Sequence, residues 1–265
     1  MVKKRGPVQQ KLRLRDKRRR LMWVKVISGT AIVALTLTLV VYASRMPHVQ
    51  ISEILVEGSR LSNSALIKEL AQNELDGYYG FLIPKRNALL YPRTSIAESI
   101  ELAYPEIRDL AIHRNGYTSL TVTITERIAR ALWCEQGSSD CYFMDEEGYV
   151  YARSPSHAEY IRFSGMLAEN RVGATYLDGS FAPLFDLVRN IEDVTNRTAL
   201  TVHVDETNDV FLAFKDGGVL RFVRTNEKRE ALDNIASVFA SGKLNEGAPF
   251  EYADFRFGDK VYVKY

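Results

Sequence analysis

Nineteen consecutive uncharged residues, Val26 to Ser44 (VISGTAIVALTLTLVVYAS), constrain this chain more than any other feature. As a helix rising about 1.5 Å per residue, such a run is about 28 Å long, close to the ~30 Å hydrocarbon core of a bilayer. The sequence therefore predicts one membrane-spanning helix over 26–44. The 25 residues before it hold eleven Lys or Arg against one acid, Asp16, whereas the rest of the chain holds 24 basic and 32 acidic residues, so the overall net charge of +2 joins a basic tail to an acidic body. By the positive-inside rule the tail, residues 1–25, is expected in the cytoplasm and everything beyond about residue 45 outside, with Trp23 and Tyr42 at the two interfaces. A cleaved signal peptide is the rival reading, and Val41-Tyr42-Ala43 offers it a small-residue cleavage site, but its apolar region would be shorter, ~7–15 residues. Nucleic-acid binding by the tail is a second rival; beside an apolar run the charge is read as topology, and no nucleic acid is expected as a partner.

Of the 265 residues, 46% are hydrophobic and 26% charged, the balance of a folded chain with room for two small domains. Only two cysteines occur, Cys134 and Cys141, between strand-like stretches. In an oxidising compartment they are expected to pair across a hairpin loop, with two free thiols as the alternative, and the spacing is not that of a zinc site.

Beyond Pro47 the pattern reads strand, helix, helix, strand, strand. Val49 to Glu57 is the first strand, and Ser62, as N-cap, opens a helix to Gln72. Residues 73–92 read as a loop with a short helical turn carrying Leu89 and Leu90. Ser95 and Glu98 form a capping box for a helix that Pro105 ends. A hairpin follows, with Ile107, Leu110 and Ile112 before Asn115-Gly116 and alternating Leu120, Val122 and Ile124 after it. The second part reads as mainly antiparallel: strands at 129–134, 141–144, 149–151, 160–163, 199–204, 210–214 and 219–223, helices at 182–191 and 227–240, and final strands at 250–257 and 260–264. The expected class is α+β.

Catalytic patterns are missing. His48, His113, His157 and His203 stand far apart, and no nucleophile elbow, S-x-x-K set or phosphate loop occurs. The acid pairs Asp145/Glu146 and Asp254/Asp259 sit at turns, where such residues serve the backbone. The Asn196-Arg197-Thr198 acceptor triplet is a match common by chance. No enzyme activity, metal or cofactor is expected.

The strand VQISEILVEGS after the span, the block PEIRDLAIHRN…LTVTITERIARALW, the turn DEEGYVYA at 145–152 and the end EYADFRFGDKVYVK resemble the FtsQ/DivIB family of bacterial cell-division proteins. The resemblance covers almost the whole chain. It implies a basic cytoplasmic tail (1–25), a transmembrane helix (26–44), a POTRA-like domain of β-α-α-β-β order (49–126) and a C-terminal β domain (127–265), with Glu126 and Arg127 at the joint. The sequence departs from the family where a proline is replaced by Asn115-Gly116 in the first hairpin and another by Ala129.

The resemblance also implies a function: a bitopic, non-enzymatic scaffold at the division septum of the plasma membrane. Its partners would be FtsB/DivIC-like and FtsL-like coiled-coil proteins and septal wall-synthesis enzymes. In the family the final strands receive a partner strand. Here Tyr252, Phe255, Arg256, Tyr262 and Lys264 are the expected contacts, although strand alternation puts Tyr252 and Phe255 on opposite faces, so at most one of those two is an anchor. The rivals are a POTRA module handling exported polypeptides, for which no barrel-like run of strands follows, and an anchored envelope hydrolase, for which no nucleophile or metal cluster is found.

Overall fold

The computed structural model describes residues 8–60, 62–155, 159–224, 228–242, 244, 250–258 and 260–265, with side chains from residue 16 onward except at 228–230. Residues 1–7, His157, Glu227 and Asp259, all singled out by the sequence, lie outside the described residues. The fold is mixed α+β and divides into two compact units, Met1–Ser59, Asn63–Ile100 and Leu110–Ile124 forming the first, and Arg60–Ser62, Glu101–Asp109 and Thr125–Tyr265 the second.

Helix α1 runs unbroken over Val8–Ser44, so the described part of the basic tail and the apolar run form one helix, of which Asp16–Ser44 is long and apolar enough to cross a membrane. The serine and threonine hydroxyls of its apolar run bond to carbonyls one turn back. Ser28 donates to Lys25 O at 3.1 Å, Thr36 to Ile32 O at 2.9 Å and Thr38 to Ala34 O at 2.8 Å, so these hydroxyls have their hydrogen bonds made without water.

Pro47–Val49 forms a single 3-10 turn rather than the start of a strand, because Gln50 N donates back to Pro47 O, and the first strand, β1, begins only at Glu53 (Glu53–Glu57). Helix α2 (Ser64–Leu75) is capped by Asn63, not Ser62: Asn63 Oδ1 accepts from Ala65 N at 3.0 Å, while Ser62 N is taken by Glu126 Oε1 at 2.8 Å. The segment expected as a plain loop contains a small hairpin, β2 (Tyr78–Tyr79) with β3 (Ile83–Pro84). Helix α3 (Arg93–Ala103) starts two residues before the proposed capping box, since Pro92 O already accepts from Ile96 N, and Ser95 falls inside the first turn. Strands β4 (Ile107–Asn115) and β5 (Ser119–Glu126) complete a sheet of order β1-β5-β4, with β1 parallel to β5. Buried Ile54, Leu120, Val122 and Ile124 of this sheet, and Ile67, Ala71, Leu75, Ile96 and Ile100 of the helices, are its apolar interior.

The second unit is built on β6 (Ala131–Cys134), β7 (Cys141–Met144), β8 (Val150–Arg153), β9 (Arg162–Ser164), helix α4 (Phe181–Thr195), β10 (Ala199–Val204), β11 (Asp209–Phe214), β12 (Val219–Val223), helix α5 (Lys228–Ala240), β13 (Tyr252–Phe257) and β14 (Lys260–Lys264). All nine strands join one sheet, order β14-β13-β12-β11-β10-β9-β6-β7-β8. Five neighbouring pairs are antiparallel and three parallel. Leu184, Leu187, Val188 and Ile191 of α4 and Ile235 and Phe239 of α5 pack on one face, against Val202, Leu212, Leu220 and Ala253. Helix α4 runs one turn further than its apolar stripe suggested, to buried Thr195, whose hydroxyl bonds Ile191 O at 2.6 Å, and Asn196 ends it with φ of +52°. Cys134 and Cys141 face each other across the β6–β7 pair and are joined in a disulfide.

The turn between β7 and β8 shows how tightly this unit is assembled. Asp145 is 2% exposed; its carboxylate accepts from Glu147 N and Tyr149 N and pairs with Arg127, whose guanidinium lies 3.9 Å from the Tyr149 ring centroid. Glu126 and Arg127 thus act separately, the first on the backbone of Arg60 and Ser62 and the second on Asp145. Gly148 closes the turn at φ of +85°, and a Cβ there would meet Tyr176 O at 2.6 Å and Phe181 Cβ at 2.9 Å. Gly148→Ala should therefore lower stability by about 3 kcal/mol, the sum of left-handed strain and a clash that packed neighbours cannot relieve. Gly137→Ala, at φ of +80° with open space around it, should lose only the strain, about 1 kcal/mol. Urea unfolding of both variants measures the difference.

Candidate functional site

Strand alternation divides β10 to β14 into two faces. Val202, Val210, Leu212, Leu220, Phe222, Ala253 and Phe255 point to the helices, and Val261 and Val263 pack at the margin of the same core. The opposite face carries an in-register row across six strands, Ser164–His203–Phe211–Arg221–Asp254–Tyr262. Beside it runs a second row, Thr201–Ala213–Val219–Tyr252–Lys264.

The contacts along these rows are specific. Ser164 Oγ and His203 Nδ1 lie 3.0 Å apart, and the His203 and Phe211 rings are 6.0 Å apart. The Arg221 guanidinium bridges two rings, 4.0 Å from the Tyr252 centroid and 5.9 Å from that of Phe211, a cation–π sandwich on a sheet surface. Arg256 grips Asp254 in a fork, Nε to Oδ1 at 2.9 Å and Nη2 to Oδ2 at 2.6 Å, while its Nη1 reaches Asp209. This bidentate hydrogen bonding holds the Asp254 carboxyl below the ordinary carboxylate range despite its burial, and the two carboxylates hold the Arg256 guanidinium above its own.

Among the described residues β14 pairs with β13 alone and forms one end of the sheet. Lys260, Tyr262 and Lys264 alternate outward along it. Tyr262 is 54% exposed, its ring edge-on to Phe257 at 5.3 Å, and Lys264 Nζ pairs with Glu251 at 2.6 Å. Lysines on such an edge oppose unselective pairing with other strands, whereas an exposed tyrosine between them is an apolar contact open to one that fits.

Of the residues the sequence proposed as contacts, Tyr262 and Lys264 lie on the edge strand. Tyr252 and Arg256 lie one strand inward on the same face, Tyr252 half-buried under Arg221 and Arg256 committed to two carboxylates. Phe255 is turned the other way. It is 9% exposed within the core, because its pleat position matches that of Ala253. The sequence reading missed Phe211, Arg221 and His203; their signal is a single polar or aromatic residue between two buried apolar ones, His203 between Val202 and Val204, Phe211 between Val210 and Leu212, and Arg221 between Leu220 and Phe222, but only strand register assembles them into one row. Among the described residues, no group of three or more His, Cys, Asp or Glu is placed to hold a metal ion.

No protein-family model matches the sequence, and no curated protein matches it.

Arg256→Gln should leave Asp254 buried without its cation and lower stability by about 3 kcal/mol at neutral pH. The wild-type contribution is present above the unfolded carboxylate pKa of about 3.9 and is lost as pH falls through the lower folded value. Removing the guanidinium takes away the largest cause of the lowering and leaves burial opposed by the backbone N–H of residue 256 and the Arg221 charge, so the folded variant takes up the Asp254 proton at higher pH than the folded wild type. The gap between wild type and variant should therefore narrow on acidification below pH of about 5. Chemical denaturation across pH measures it, and parallel profiles would contradict this role for Arg256.

Proposed function

We propose that this chain is a bitopic, non-enzymatic scaffold that binds a partner by strand addition at β14, and that it acts in bacterial cell division as an FtsQ/DivIB-like protein. The observation that carries the reading is the end strand β14, with Tyr262 and the lysines on a face shared with Tyr252 and Arg256. A strand laid along β14 would take main-chain hydrogen bonds from the edge and side-chain selectivity from Tyr262 and Phe257. Lys260 on the edge favours a partner strand with an acidic residue opposite it, whereas Lys264 is already paired with Glu251.

In this reading α1 anchors the chain with its basic tail in the cytoplasm and everything beyond about residue 45 outside. Residues 49–126 are the POTRA-like domain and residues 127–265 the C-terminal β domain. FtsB/DivIC-like and FtsL-like coiled-coil proteins are the expected partners, and septal wall-synthesis enzymes the machinery they recruit. The order strand, helix, helix, strand, strand, interrupted in the first unit by the β2–β3 hairpin between the helices, supports this, as does the disulfide, which suits an oxidising compartment.

A fluorescent protein fused to the cytoplasmic N-terminus should gather at midcell before constriction in the native host; an even envelope distribution would instead favour a module handling exported polypeptides. Tyr262→Lys should weaken capture of the coiled-coil partner roughly tenfold or more, as loss of an interface anchor does, while leaving the fold intact by circular dichroism. Phe255→Lys should unfold the second unit instead. A folded Tyr262→Lys variant that still binds normally would count against the edge.

A further inference from the structure

The stretch from Tyr78 to Leu90 supplies little to the first unit's interior, yet its conformation is costly. Strands β2 and β3 join through a tight turn closed by Leu82 N donating to Tyr79 O at 3.1 Å. The two corner residues, Gly80 and Phe81, have φ of +53° and +66°. Glycine or asparagine holds the second corner without strain, whereas a bulky residue does not. Phe81 is there nonetheless, and it is 91% exposed. Around it Tyr78, Tyr79, Leu82, Leu89 and Leu90 are between 40% and 65% exposed. Six large apolar side chains in one short segment make a patch that is unfavourable in water.

The same segment is fastened to the end of the apolar helix. Arg45, the residue after α1, donates from Nε to Leu82 O and from Nη2 to Phe81 O, both at 3.1 Å, and its guanidinium lies 5.8 Å from the Tyr78 ring centroid. Asn87, 3% exposed, donates from Nδ2 to Ser44 O, on the last residue of α1, at 3.1 Å. The turn carrying Phe81 is therefore one arginine side chain away from the point where α1 ends. Lys85 lies within the segment and Arg93 three residues after it, while Arg86 is paired with Asp76 at 2.7 Å.

We infer that the Tyr78–Leu90 segment is a second membrane contact, whose aromatic and leucine side chains enter the boundary between headgroups and acyl chains of the leaflet from which α1 emerges. This rests on the reading of α1 as membrane-spanning. Its hydrogen bonds to the helix end hold the segment at interfacial depth, where tyrosines favour the headgroup level and Phe and Leu the acyl side. Arginine and lysine there meet lipid phosphates. The strained turn fits the same account, since it holds a phenylalanine at the tip, where its exposure is favourable only out of water.

The test uses the full chain in vesicles of phosphatidylcholine and phosphatidylglycerol, with a nitroxide on Phe81→Cys, on Leu37→Cys within the apolar run, or on Leu66→Cys at the start of α2. The two native cysteines are paired and take no label. Collisions with oxygen, which partitions into lipid, are compared with those of a water-soluble nickel chelate. The Phe81 label should lose nickel access and gain oxygen access, matching the Leu37 label and inverting the ratio seen at Leu66. A Phe81 label that behaves like Leu66 while Leu37 stays in lipid overturns the second contact and leaves the span intact. Nickel access at Leu37 as well would overturn the spanning reading and the inference together.

Discussion

A nine-stranded sheet with α4 and α5 packed on one face is the constraint on which the second unit depends. Strand residues point alternately to either face, so each strand from β10 to β14 must place apolar residues at every second position under α4 and α5. That requirement settles the fate of the residues between them, which are left on a face that no helix covers among the described residues. Phe255 and Tyr252 show the consequence: the same strand buries one and offers the other, and a one-residue slip would exchange them.

The uncovered face is ordered by charge and aromatic contact rather than by burial. Arg221 between Phe211 and Tyr252, and Arg256 across Asp254 and Asp209, tie β11, β12 and β13 together on the face away from α4 and α5. Buried or half-buried ion pairs of this kind contribute little net stability but are strongly destabilising when one partner is removed. They brace β13, the neighbour that β14 pairs with, while the outer edge of β14 has no paired strand among the described residues. A rigid template is what strand addition needs, because ordering entropy then falls on the incoming strand alone.

Much of this was legible in the sequence, for identifiable reasons. The apolar run, β4 to β7, and β10 to β14 follow local periodicity, and period-two alternation over Ala199–Val204, Val210–Phe214 and Val219–Val223 reports one-sided burial directly. Boundaries failed where a neighbour competed for the cap: Asn63 for Ser62, Pro92 for Ser95, and Pro47 for the start of a strand. The β2–β3 hairpin was hidden because Phe81 occupies a corner that turn chemistry assigns to glycine or asparagine. The candidate contacts were half legible. Alternation separates Tyr252 from Phe255 but not which of them faces the core, and the row through His203, Phe211 and Arg221 depends on pairings between strands far apart in sequence.

The central claim is that a partner strand adds to β14, and the most direct measurement is photo-crosslinking in living cells of the native host. A photoreactive residue is placed in turn at positions 260–264 of β14 and at Arg153 on β8, the strand at the other end of the sheet. The account predicts adducts with one small membrane partner along β14 and none at Arg153. Adducts at Arg153, or none along β14, would contradict it.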